Sequence, residues 1–147
     1  MPEALAVHQE IVVRVAPERA FAVFTERIGA WWQLGDKHIG ATPPIGAEIE
    51  PWVGGRWFER AADGTECPWG HVRVWEPPDR LVLSWEISAD WRPDPSAGAE
   101  VEIRFLAEEG ATRVVLDHRG LETLQVRDTL NGGWPGLLLA YATLLED

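Results

Sequence analysis

The chain has 147 residues, 46% of them hydrophobic and 25% charged, which is the size and composition of one ordinary folded domain, read as 1–147, and excludes disorder. Asp and Glu number 24 against 13 Lys and Arg, a net charge of -11 that repels phosphate backbones and anionic lipid, so neither nucleic acid nor a membrane is an expected partner. No apolar run approaches a membrane span, the start MPEALAVHQE is polar, and Cys67 is the single cysteine, so a cytoplasmic protein without an internal disulfide is expected.

His8 to Val15 alternates, with Ile11, Val13 and Val15 on one side, the period of a half-buried strand. Pro17 suits the first turn of a helix, Glu18 its positive end, and Ala20, Phe21, Val23 and Phe24 form a stripe at helical spacing that ends near Gly29. Ile28, Trp31 and Trp32 make a second short turn packing onto the sheet. Gly35 to Gly46 reads as loop.

From Ala47 onward the chain reads as hairpins. Ala47–Val53 and Arg56–Ala61 flank Gly54-Gly55, and Asp63-Gly64 turns into Glu66–Trp75. Pro77-Pro78-Asp79 opens Arg80–Ile87, a polar loop covers Ser88 to Gly98, and Glu100–Ala107 pairs with Thr112–Arg119 about Glu109-Gly110. Seven strands in an antiparallel meander follow. The expected inward residues are Val72 and Val74; Leu81, Leu83, Trp85 and Ile87; Val101, Ile103 and Phe105; Val114, Leu116 and His118. His71, Arg73 and Trp75 take the opposite phase of their strand.

Gln125 to Asp147 closes the chain. Trp134, Leu137, Leu138, Tyr141, Leu144 and Leu145 form one apolar helix face, while Gly132, Gly133 and Pro135 predict a kink or break just before it.

The expected fold is α+β: a curved antiparallel sheet of about seven strands gripping a long C-terminal helix, with two short helices after the first strand. In this order of elements the sequence resembles the helix-grip, START-like superfamily, also called SRPBCC. Within it the chain is similar to the group named after the activator of the ninety-kilodalton heat-shock protein's ATPase. The resemblance is carried by PERAFAVFTERIGAWW at Pro17–Trp32, GGRWFE at Gly54–Glu59, DGTECPWGHVRVWEPPDRLVLSW at Asp63–Trp85, and VVLDHRGL followed by GGW.

The superfamily resemblance implies a hydrophobic cavity between the sheet and the last helix, used for lipids, polyketides or other small apolar molecules. Trp57, Trp69, Leu83, Trp85, Phe105, Leu116, His118, Trp134, Leu138 and Tyr141 are the candidate lining, with Trp85 the tryptophan expected to meet a ligand. Aromatic rings give wide apolar walls and a few directional N–H and O–H contacts. The plain alternative for each ring is core packing. The group's name implies a chaperone partner and a stress-response setting as the alternative, and a cyclase, aromatase or hydrolase using the same cavity is a third reading.

No catalytic residue is assigned. His118 could act as acid or base, or be a hydrogen-bonded core histidine. Glu59, Glu86 and Asp117 could move protons if aimed inward, but strand carboxylates more often pair outward with residues such as Arg73, Arg104 or Arg119. His8, His38, His71 and His118 show no ligand spacing and Cys67 has no companion, so neither metal nor cofactor is expected. No GxSxG, phosphate-binding loop or dinucleotide fingerprint occurs. The composition, with Lys37 the single lysine, suggests a GC-rich bacterial source.

Overall fold

The computed structural model describes residues 5–32, 40, 44–88 and 90–146. Most of the loop expected over Gly35–Gly46, with Lys37 and His38, lies outside them. The elements run β1 (Val7–Val13), α1 (Pro17–Glu26), α2 (Ile28–Trp31), β2 (Gly46–Ile49), β3 (Arg56–Arg60), β4 (Glu66–Glu76), β5 (Arg80–Trp85), β6 (Ala99–Glu108), β7 (Ala111–Arg119) and α3 (Leu124–Leu145). The strands form one curled antiparallel sheet in the order β1-β7-β6-β5-β4-β3-β2. β1 and β2 therefore sit at opposite edges, and the chain passes from one to the other through α1 and α2.

Turn chemistry agrees with the sequence. Gly54, Gly64 and Gly110 have φ of 88°, 90° and 67° at the three hairpin turns, where a side chain would be strained. Pro17 opens α1, and the Thr123 side chain caps α3 by accepting from the Val126 N–H at 3.1 Å.

α1 lies on β6 through Phe21 and Phe24, whose rings stand 5.2 and 5.7 Å from that of Phe105. Tyr141 on α3 touches Phe24 edge-on and donates its hydroxyl to the Ala20 carbonyl at 2.6 Å, tying the last helix to the first. Burial pushes the Tyr141 phenol up, so it stays a neutral donor.

Two expectations are corrected. α3 runs without a break through Gly132, Gly133 and Pro135. Trp134, Leu137, Leu138 and Tyr141 are each at most 3% exposed, and this burial outweighs the weak propensity just upstream. Second, Trp75 does not share the outer face with His71 and Arg73. The β4–β5 register shifts between Val72 and Val74, a bulge that sets Trp75 opposite the buried Leu81 and brings its ring edge-on to Phe21 at 5.1 Å. A second irregularity, between Trp57 and Phe58 on β3, faces β4 at Trp69. Together they curl the middle of the sheet.

Candidate ligand-binding site

Curling brings tryptophans from five segments to one end of the sheet. Trp32, just after α2, lies centrally, with its ring centroid 5.0 Å from Trp69, 5.6 Å from Trp134, 5.9 Å from Trp57 and 6.5 Å from Trp85. Several of the buried N–H groups have acceptors. Trp57 donates to the Ser84 carbonyl at 2.8 Å, Trp69 to Glu59 Oε1 at 2.9 Å, and Trp134 to His118 Nδ1 at 3.1 Å. Rings held both by packing and by a directed hydrogen bond make stiff walls.

Between this cluster and α3 is a cavity of about 180 Å³, lined by Trp32, Trp85, Trp91, Thr129, Leu130, Gly133, Trp134 and Leu137. Of the residues expected to line a cavity, Trp85 and Trp134 are on its wall. Trp57, Trp69, Leu83, Phe105, Leu116, His118, Leu138 and Tyr141 are buried in the core around or beneath it. Missing from the expectation were Trp32, Trp91, Thr129, Leu130, Gly133 and Leu137. Leu130 and Gly133 precede Leu137 by seven and four residues, so they continue the α3 face that was cut short at the predicted break. Trp91 carried a weaker signal: a tryptophan in an otherwise polar loop.

His118 stands behind the wall. It is fully buried, with its ring 4.6 Å from Trp85, and burial drives its pKa down to about 3. Since Nδ1 accepts from Trp134, the ring is neutral with its proton on Nε2, which has no partner among the described residues. A group so weakly basic is poorly suited to take a proton near neutral pH. What it does in this geometry is hold Trp134.

The carboxylates take three different positions. Glu59 is 2% exposed, and besides Trp69 it accepts the Gly40 N–H at 3.1 Å, so it is a structural acceptor and not an outward partner of an arginine. Its outward neighbour is Phe58, covered by the guanidinium groups of Arg56 and Arg60 at 4.2 and 5.4 Å. Asp117 pairs outward with Arg104 at 3.5 Å, as expected, and with His8 at 2.6 Å. The Glu86 carboxylate accepts from the Ser84 hydroxyl and meets the His71 ring, while Ser84 Oγ in turn accepts the His71 backbone N–H, so the three lack the serine–histidine contact of a triad.

Burial raises the Cys67 thiol pKa, away from a reactive thiolate. Among the described residues no group of three or more His, Cys, Asp and Glu is placed to hold a metal, and no helix is long and apolar enough to cross a membrane.

Solved structures with this fold include protein MLL2253 from Mesorhizobium loti, 18% identical with a TM-score of 0.73, 96% of each chain being covered. The Aha1 dimer from Colwellia psychrerythraea is also 18% identical, at 0.70 and 96% of each chain. The chain is 34% identical to an anthrahydroquino-gamma-pyrone synthase, Txn09, complexed with SUM; the TM-score is 0.63, and 97% of this chain and 99% of that one are covered. No curated protein matches it. The family described as activator of Hsp90 ATPase homolog 1-like protein matches residues 14–146, nearly the whole chain, and the protein belongs to that family.

Proposed function

We propose that this protein binds a flat, fused-ring aromatic molecule of the polyketide kind in the cavity beneath α3. The observation that carries the reading is the wall: Trp32, Trp85, Trp91 and Trp134 surround one cavity, with Leu130 and Leu137 closing it from the helix. Offset and edge-to-face contacts with aromatic rings favour a planar guest over a fatty acid chain. The 34% identity to an anthrahydroquino-gamma-pyrone synthase supports the same class of guest.

Titration with a two-ring hydroxyquinone, juglone, followed by tryptophan fluorescence and calorimetry, tests it. Saturable quenching with one-to-one stoichiometry, not reproduced by palmitate, is the expected result. Absence of binding by any hydroxyquinone removes the reading.

The likeness to that synthase favours a second reading, in which the cavity also promotes ring closure of such a guest. With His118 neutral and behind the wall, the chain would contribute confinement of the folded substrate and exclusion of water more than proton abstraction. Formation of a pyrone from a linear aromatic precursor, at a rate unchanged by His118→Gln but lost on Leu137→Trp, is its signature.

A further inference from the structure

A second cavity, of about 350 Å³, adjoins the first. Trp85, Trp91, Thr129 and Leu130 line both, so the two chambers share a partition. The one under the tryptophan cluster, the inner chamber, is walled mainly by tryptophan and leucine side chains, with Thr129 among them. The outer one adds Ser88, Asp90, Glu122, Thr123 and Gln125.

Trp91 is unusual within that partition. Its φ is 59°, in the left-handed region that large side chains rarely occupy, and it is the one residue other than glycine with positive φ among the described residues. The loop that imposes this is tied at its base. The Ser88 N–H donates to the Arg92 carbonyl at 2.8 Å, the Trp91 N–H to the Ser88 carbonyl at 3.0 Å, and the Asp94 N–H to the Glu86 carbonyl at 2.8 Å. The Arg92 N–H reaches the Ser88 hydroxyl at 3.1 Å. So anchored, the loop presents the indole edge-on to Trp85 at 6.0 Å. Strain kept in place by surrounding bonds points to a role for the side chain it positions.

Volume indicates what that role is. The inner chamber, at about 180 Å³, is close to the ~150 Å³ cavity that accommodates benzene, whereas drug-sized ligands need roughly 300–1,000 Å³. One or two fused rings fit inside; three or four require both chambers. We infer that Trp91 is the specificity-determining residue of the site. Its indole, set between the chambers, limits how many fused rings the protein accepts, and a longer guest must displace it and place hydroxyl substituents among the polar groups of the outer chamber. This rests on the proposed binding of aromatic guests.

The test compares wild type, Trp91→Gly and Trp91→Phe by calorimetry with a two-ring and a four-ring hydroxyquinone, juglone and a hydroxylated tetracenequinone. Glycine tolerates the backbone angle, and phenylalanine keeps a ring should the glycine variant fold poorly. Trp91→Gly is expected to raise affinity for the four-ring compound relative to the two-ring one by about tenfold, the size of one aromatic contact that need not be broken. Trp91→Phe is expected to shift the ratio in the same direction, by less. Binding of both compounds by all three proteins at an unchanged ratio overturns the ring-count rule and leaves the binding reading standing. Failure of all three to bind either compound overturns both.

Discussion

The indole N–H of Trp134 on α3 donates to Nδ1 of His118 on β7 across 3.1 Å, a buried bond that joins the cavity wall to the sheet behind it. A protonated histidine carries a hydrogen on both ring nitrogens, so His118 cannot charge without losing this bond. Burial holds its pKa near 3, against about 6.5 in an unfolded chain. Between these values the unfolded state binds the proton and the folded state does not, so stability is fully present above about pH 6.5 and falls as the pH drops toward 3. Urea unfolding at a series of pH values should show this decline, and His118→Gln should flatten part of it. Ring NMR signals of His118 that titrate near pH 6.5 in the folded protein would contradict the assignment.

Replacing His118 with Phe leaves the Trp134 N–H buried without an acceptor, which typically costs ~1–3 kcal/mol. Trp134→Phe removes the donor, and the double variant removes both. The double change should therefore cost less than the two singles added together, by ~0.5–1.5 kcal/mol. A chemical-denaturation cycle measures the difference, and strict additivity would mean that the bond contributes nothing.

Leu137 and Leu138 are neighbours on α3 with opposite expected behaviour. Leu137 faces the cavity, so a Leu137→Trp ring has space to enter and should abolish hydroxyquinone binding with little change in melting temperature. Leu138 is equally buried but lies off the cavity wall, so Leu138→Trp overpacks the core at ~1–3 kcal/mol. Paired thermal melts and quenching titrations of the two variants distinguish a ligand cavity from a packing fault.

Gly70 sits where β4 passes Trp57. A β-carbon there would lie 2.0 Å from the Ser84 carbonyl oxygen and 2.5 Å from Trp57 Nε1, in the path of the 2.8 Å bond between those two groups. Gly70→Ala should cost ~3 kcal/mol or more, or prevent folding, with a red shift of tryptophan emission. A variant of near wild-type stability would show that the backbone yields at this point.

His8 has the opposite pH response to His118. Its ring lies between Asp117, at 2.6 Å, and Glu10, at 2.8 Å, and hydrogen bonds to Asp117 first and Glu10 second raise its pKa. The stabilisation is thus present below about pH 6.5 and is lost as the pH rises through the raised folded value. Half of the side chain is exposed, so the effect is small and weakens with salt. NMR titration of His8 in low and high salt checks both the direction and the screening.

The meander from β2 to β7, the three glycine turns and the apolar face of α3 were legible because each rests on local period or local backbone demand. The pairing of β1 with β7, at the edge opposite β2, joins the first and last strands of the chain, and no short link encodes it. The register shift that turns Trp75 inward was not legible either, since a bulge inserts a residue into an otherwise regular alternation and reverses every phase after it. The sequence leaves both an inward and an outward direction open for Glu59, for a related reason. Its alternation places it on a strand face, but only the neighbouring strand's Trp69 makes that face a buried one with an acceptor's role to fill.

By itself the sequence determined the gripping architecture and the abundance of aromatic rings at its centre, through patterns that burial and turn geometry impose within a few residues. Tertiary structure alone decided which rings became walls. Trp32, Trp85, Trp91 and Trp134 come from four separate segments and meet at one cavity, while Trp57 and Trp69 are directed into solid core. A cavity wall is a relation among side-chain directions across elements remote in sequence, and no local period encodes that.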